Sequence, residues 1–134
     1  MGYVLDTNTI IHYLNKQPNV LHNFDIAAVS NCNLVLPKAV DYELRRGFSI
    51  YPAPRKEATY NILIERCIIG KLDFNVWDRA VQVYTELYNK RLTVGEIDIL
   101  IAALCLVNDY ILVTNNAKDF ENISGIKLVD WSKP

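Results

Sequence analysis

Apolar residues fall in two rhythms along this 134-residue chain. Short apolar runs at Tyr3–Leu5, Leu34–Leu36, Ile111–Val113 and Ile126–Val129 are bounded by polar or turn residues. Each is too short for a helix and reads as a buried strand. Leu72–Phe74 reads as a fifth strand or as a connector. Between the runs lie helical patterns. Thr7 or Asn8 caps a short helix through Leu14, and a second runs from Pro18, suited to a first turn, towards Val29. A third spans Lys38 to Arg46, with Gly47 as its stop. Pro54 opens a fourth towards Cys67. Asn75 caps Val76–Asn89, whose apolar stripe is Val76, Ala80, Val83, Tyr84 and Leu87. Glu96 to Val107 is apolar nearly all round and predicts a central buried helix. Strands alternating with helices predict an α/β fold: a three-layer α/β/α sandwich around a mostly parallel sheet.

Composition narrows the class. The length suits one domain over residues 1–134, and 51% apolar residues suit a compact core without disulfides. No stretch approaches the roughly 18 consecutive apolar residues of a membrane span. The start, Met1-Gly2-Tyr3-Val4-Leu5-Asp6, lacks the basic flank of a signal peptide and the Ser or Thr of a myristoylation motif. Cys32, Cys67 and Cys105 stand far apart with no CxxC pair, which predicts buried free thiols in a reducing cytoplasm. The net charge is −1, whereas nucleic-acid binders are usually basic. Any nucleic-acid function therefore needs its cations clustered.

The acids are placed for chemistry. Asp6 follows the first strand, where ligands of open α/β sheets gather, although it suits a helix cap equally well. On a helical wheel with Val40 at zero, Leu44 falls at about 40° and Glu43 at about −60°, while Arg45 and Arg46 fall near 140° and 240°. Glu43 thus flanks the apolar stripe and must be ion-paired or bound to metal. Asp41, near 100°, is expected to be the more solvated. Asp98 sits early in the most apolar helix, among residues expected to be buried. Glu96 suits the positive end of that helix. Thr114, Asn115, Asn116 and Asp119 follow the strand Ile111–Val113, as ligand oxygens or as an ordinary polar turn. Two carboxylates ~5 Å apart at an effective dielectric of ~20 repel by roughly 3 kcal/mol, so several bare ones together demand protonation or a cation. Oxygen-only ligands favour Mg²⁺ or Mn²⁺.

Four stretches carry a resemblance. They are Tyr3-Val4-Leu5-Asp6-Thr7-Asn8, Tyr42-Glu43-Leu44-Arg45-Arg46-Gly47, Gly95 to Ala103, and Leu112 to Phe120. In order and spacing they resemble the PIN-domain ribonucleases, and within them the VapC toxins of toxin–antitoxin pairs. Leu128-Val129-Asp130-Trp131 is similar to the family's last strand. The resemblance implies a metal-dependent endoribonuclease in which Asp6, Glu43 and Asp98 hold Mg²⁺ or Mn²⁺. Thr7, Asn8, Glu96, Thr114, Asn116 and Asp119 are supporting candidates. Where many relatives carry a fourth acid, Asn116 stands here, with Asp119 three residues on; Glu96 is an extra acid that offsets the difference. The resemblance also implies hydrolysis by an activated water that leaves a 5′-phosphate, a homodimer, and an antitoxin whose segment covers the pocket. Phe48, Ile50 and Tyr51 are candidates for that contact. Lys38, Arg45 and Arg46 are the candidate RNA-binding cations; Tyr51, Tyr60, Tyr84 and Tyr88 are candidates to stack on bases.

Three rival readings are weaker. A haloacid-dehalogenase-like phosphatase needs a second Asp that Asp6-Thr7-Asn8-Thr9 lacks. A receiver-type signalling domain needs an acceptor Asp after a middle strand, and Pro37-Lys38-Ala39 offers none. A catalytically weak PIN scaffold is the reading that Asn116 keeps open.

Overall fold

A computed structural model describes all 134 residues. Five strands form one sheet: β1 (Gly2–Leu5), β2 (Asn33–Pro37), β3 (Ile68–Gly70), β4 (Ile111–Val113) and β5 (Lys127–Val129). Their spatial order is β3-β2-β1-β4-β5, and every ladder is parallel. Six helices connect them: α1 (Thr7–Leu14), α2 (Pro18–Val29), α3 (Lys38–Ile50), α4 (Pro54–Glu65), α5 (Phe74–Asn89) and α6 (Glu96–Asn108). The chain steps outward from β1 to β2 and β3, then crosses back to β4 and β5. With crossovers of one hand, this reversal puts α1–α4 on one face and α5–α6 on the other. The reversal point lies between β1 and β4. In such sheets the crevice at the carboxyl ends of these two strands is where ligands bind.

The core is one cluster of 29 buried apolar residues. β1, β2 and β4 supply Val4, Leu5, Leu34 to Leu36, Leu112 and Val113, as expected of strands covered on both faces. From α6, Ile99 and Ile101 to Cys105 are all buried, so this helix lies between the sheet and α5.

Several local expectations are corrected. The fifth strand is Ile68–Gly70; Leu72–Phe74 is a connector leading into α5. A three-residue strand directly after α4 looks like one more helical turn in the sequence. Gly70 marks it, because a Cβ there would come 2.6 Å from Leu104 and 3.1 Å from Val35. Asp6 caps α1, and Asp73, not Asn75, caps α5. Gly47 does not stop α3. The helix runs on to Ile50 and ends where Tyr51, pushed off helical geometry by Pro52, adopts φ −123° and ψ 82°. Tyr84 lies off the buried stripe of α5 and faces outward. Cys105 is buried, but Cys32 and Cys67 are only half-buried, and all three are free thiols. No helix is long and apolar enough to cross a membrane.

Candidate active site

Asp6 is fixed before any ligand arrives. It leaves β1 as the N-cap of α1, and its Oδ1 accepts the Thr9 backbone N–H at 2.8 Å. The Thr9 hydroxyl donates to the Val113 carbonyl at 2.9 Å, which ties the start of α1 to the end of β4. Thr114, the next residue, is buried and hydrogen-bonds the Asp6 side chain. Its Oγ1 also accepts the Asn116 backbone N–H at 3.0 Å. Burial raises the Asp6 carboxyl above its ordinary value, partly opposed by the bonds from Thr114 and Thr9 and by His12. The two readings of Asp6, cap and site, are thus compatible: one oxygen caps while the other side of the carboxylate meets the cleft.

Glu43 comes from the second turn of α3, half-buried, and its Oε1 accepts the Thr7 hydroxyl at 2.6 Å. Asp98 comes from the first turn of α6. Its carboxyl is pushed up to about 6, first by burial and then by the negative charges of Asp119, Glu43 and Asp6. Acids 92 residues apart in sequence therefore feel one another across the carboxyl edge of the sheet. They line a cleft of about 220 Å³ with Thr7, Asn8, Asn116 and Phe120, whose buried ring forms part of the wall.

Asn116 and Asp119 divide the remaining position. Asn116 lines the cleft, and its Nδ2 donates to Asp119 Oδ2 at 2.5 Å, while Asp119 supplies the charge that Asp98 senses. Glu96 does not join the acids. It is exposed and lies on a separate groove with Tyr84, Tyr88, Leu92 and Val94, so it offers no compensating charge in the cleft.

No three carboxylates close on one point as a cage of direct ligands. That openness, with all-oxygen side chains and a carboxyl held protonated up to about pH 6 by its neighbours, fits a hard divalent cation that keeps several waters and takes one or two carboxylates directly. A soft or tetrahedral metal would need sulfur or imidazole, which this cleft lacks.

A family model, described as the PIN domain, matches residues 3–126 of the chain. This chain belongs to the PIN-domain family. Within that family it is 31% identical to ribonuclease VapC2 of Rickettsia felis, over 99% of this chain and all of that protein. It is 29% identical to the tRNA(fMet)-specific endonuclease VapC of Salmonella typhimurium, over 98% of both. Among solved structures, VapBC2 from Rickettsia felis bound to a DNA fragment from its promoter matches with a TM-score of 0.90 at 29% identity, covering 98% of this chain and 99% of that one. DNA-bound VapBC from Salmonella typhimurium gives 0.88 at 28% identity, covering 98% of each. PIN-domain ribonucleases generally use a divalent metal, which agrees with the donor set of this PIN domain.

The basic candidates of the PIN domain are exposed but not all free. Lys38 Nζ and Arg45 Nε each stand 2.9 Å from Asp41, on opposite carboxylate oxygens. Asp41 Oδ1 also accepts the buried Tyr60 hydroxyl at 2.6 Å. The expected order of exposure is therefore reversed: the Asp41 side chain is only 4% exposed, and Glu43 is the more open. A wheel drawn for α3 alone misses α4, whose Tyr60 covers Asp41. Burial by itself would raise Asp41, but the bonds from Tyr60, Lys38 and Arg45 hold it below the usual carboxylate range. Tyr60 is fully buried, so it is not a base-stacking residue. Arg46 lies over the exposed Tyr42 ring, 5.1 Å from its centroid. The sequence reading missed Thr9 and the Asp41–Tyr60 pair. The D-x-x-T spacing of a capping turn was the available signal for Thr9; no local signal marks Tyr60.

Proposed function

We propose that residues 1–134 form one PIN domain acting as a Mg²⁺- or Mn²⁺-dependent endoribonuclease, the toxin of a toxin–antitoxin pair in the cytoplasm. One observation carries the reading: Asp6, Glu43 and Asp98, brought from three separate elements, line one cleft at the sheet's reversal point. Asp6, Glu43 and Asp98 would hold the cation, one or two of them directly and the rest through its waters, with Asn8, Asn116 and Asp119 around those waters. When bound, the cation supplies an acidified water for in-line attack on a phosphodiester and a counter-charge for the phosphate oxygens, giving a 5′-phosphate and a 3′-hydroxyl.

The chain's own side chains set the geometry. The Thr9 N–H and Thr114 prevent Asp6 from rotating away, and the Thr7 hydroxyl keeps Glu43 turned towards the cleft. Lys38, Arg45 and Arg46, exposed on the same helix as Glu43, would meet the RNA backbone. Asn116 does not leave the cleft one charge short, because Asp119 restores it; this favours an active enzyme over a silent scaffold.

The antitoxin would bind beside the cleft. An apolar groove of about 270 Å³, lined by Ile11, Leu14, Leu44, Phe48 and Tyr51, shares Thr7 and Glu43 with the acidic site. A segment seated there would cover Glu43. The relatives VapBC2 and VapBC support this partner. A homodimer completes the assembly.

The test is RNA cleavage by Asp6→Asn. Cleavage should fall below detection while the helical circular dichroism stays unchanged. Wild-type cleavage by this variant would remove Asp6, and with it the proposed site, from the chemistry.

A further inference from the structure

We propose that Tyr42 is a substrate-positioning residue: its ring stacks on an unpaired base of the RNA next to the phosphate held at Glu43. The inference rests on the endoribonuclease reading above and adds to it how the strand is seated. Tyr42 immediately precedes Glu43 on α3, so their Cα atoms stand about 3.8 Å apart. At about 100° per residue, the Tyr42 side chain leaves the helix on the flank of Glu43 turned away from the buried Val40 and Leu44. A nucleotide whose phosphate lies at Glu43 therefore has its base beside this ring.

The ring is held but not used. Tyr42 is 57% exposed and pairs with no other aromatic ring of the chain. Arg46, one turn further along α3, places its guanidinium 5.1 Å from the ring centroid. That contact covers one face and fixes the ring, while the other face stays open to solvent. Arg46 is also the α3 cation left free. Asp41 takes up Lys38 and Arg45, whereas Arg46 has no carboxylate partner. A guanidinium stacked by its face still presents its N–H edge, so Arg46 supports the ring and meets a phosphate at once. A fixed aromatic platform beside a free cation is how single strands are bound.

The other exposed tyrosines lack this setting. Tyr84 and Tyr88 lie on α5, across the sheet from Glu43, with Glu96 beside them. Tyr51 lines the apolar groove assigned to the antitoxin, and neither Tyr42 nor Arg46 belongs to that groove. A duplex offers Tyr42 nothing to stack on, because its bases already stack on one another. Only an unstacked base engages the ring.

Fluorescence anisotropy of a labelled oligoadenylate tests the proposal, with Mg²⁺ present and Asp6→Asn as the background that keeps the strand intact. Oligoadenylate serves because stacking tolerates any base. Adding Tyr42→Ala should weaken binding about tenfold, the loss of one base–aromatic stack, and Tyr42→Phe should restore it. The salt dependence should not change with Tyr42→Ala, since no ionic contact is lost. Annealing the strand to oligouridylate should erase the difference between Tyr42 and Ala. Equal affinity for the single strand, a loss that Phe does not repair, or a background protein that binds no oligoadenylate would each overturn the role of Tyr42. None of these touches the catalytic reading, which stands or falls on cleavage by Asp6→Asn. If Tyr42→Ala loses helical circular dichroism, Tyr42→Leu decides in its place.

Discussion

Asp98 and Asp41 show how differently two carboxylates fare in one fold. Asp98 has no cationic partner, and its acidity is suppressed to about 6 by burial and by three other acids. Its folded value lies above the unfolded 3.8. The folded state therefore holds the proton more tightly, so this group's contribution favours folding at pH 4 and is lost as the pH rises to about 6. Metal-free protein should accordingly lose stability across that window, by about 1–2 kcal/mol once solvent screening of a half-exposed group is allowed for. Asp98→Asn should flatten the slope in a series of urea melts. Asp41 behaves in the opposite sense. Its folded value lies below the unfolded one, so its stabilisation is present above about pH 4 and fades as the pH falls further. Tyr60→Phe removes one buried donor but leaves Lys38 and Arg45 in place, and should cost about 1–2 kcal/mol in the same melts. An unchanged midpoint would show that the Tyr60 hydroxyl contributes nothing to the network.

Elements were legible where a single periodicity governed them. α2 and α6 are readable because Pro18 opens one and a continuous apolar pattern defines the other. β1, β2 and β4 are readable because strands covered on both faces need unbroken apolar runs. The pattern fails where a neighbouring element decides. β3 exists because β2 offers it an edge, and α3 outlasts Gly47 with Phe48 of that turn packed against Tyr60 of α4. The same logic explains the site. Asp6 and Asp98 announce themselves by strand end and helix start, whereas the Asp41–Tyr60 bond joins residues on different helices. Gly47 gives a direct check at this scale. It is helical, and a Cβ there would meet nothing within 4 Å. Gly47→Ala should therefore raise stability by about 0.5–1 kcal/mol. A lower thermal midpoint would contradict the helical assignment.

For the whole molecule, the parallel sheet explains where the site lies, while a net charge of −1 limits its pull on RNA. The reversal between β1 and β4 gathers Asp6, Glu43 and Asp98 at one cleft. The cations nearest Glu43 are the three on α3, Lys38, Arg45 and Arg46, two of them tethered by Asp41. RNA affinity should be modest and salt-dependent, and replacing Arg45 and Arg46 together by Ala should weaken binding and flatten its dependence on salt. A slope equal to that of the wild type would take these two residues off the RNA path.

The central claim is that the acids of three separate elements form one divalent-cation site. Calorimetric titration with Mn²⁺ near pH 6 measures it most directly, because Asp98 must release its proton when the cation enters. The account predicts binding accompanied by proton release, with affinity falling by at least about tenfold in Asp98→Asn as one charged ligand is lost. Absence of Mn²⁺ binding by the wild type, or equal affinity and equal proton release in Asp98→Asn, would contradict it.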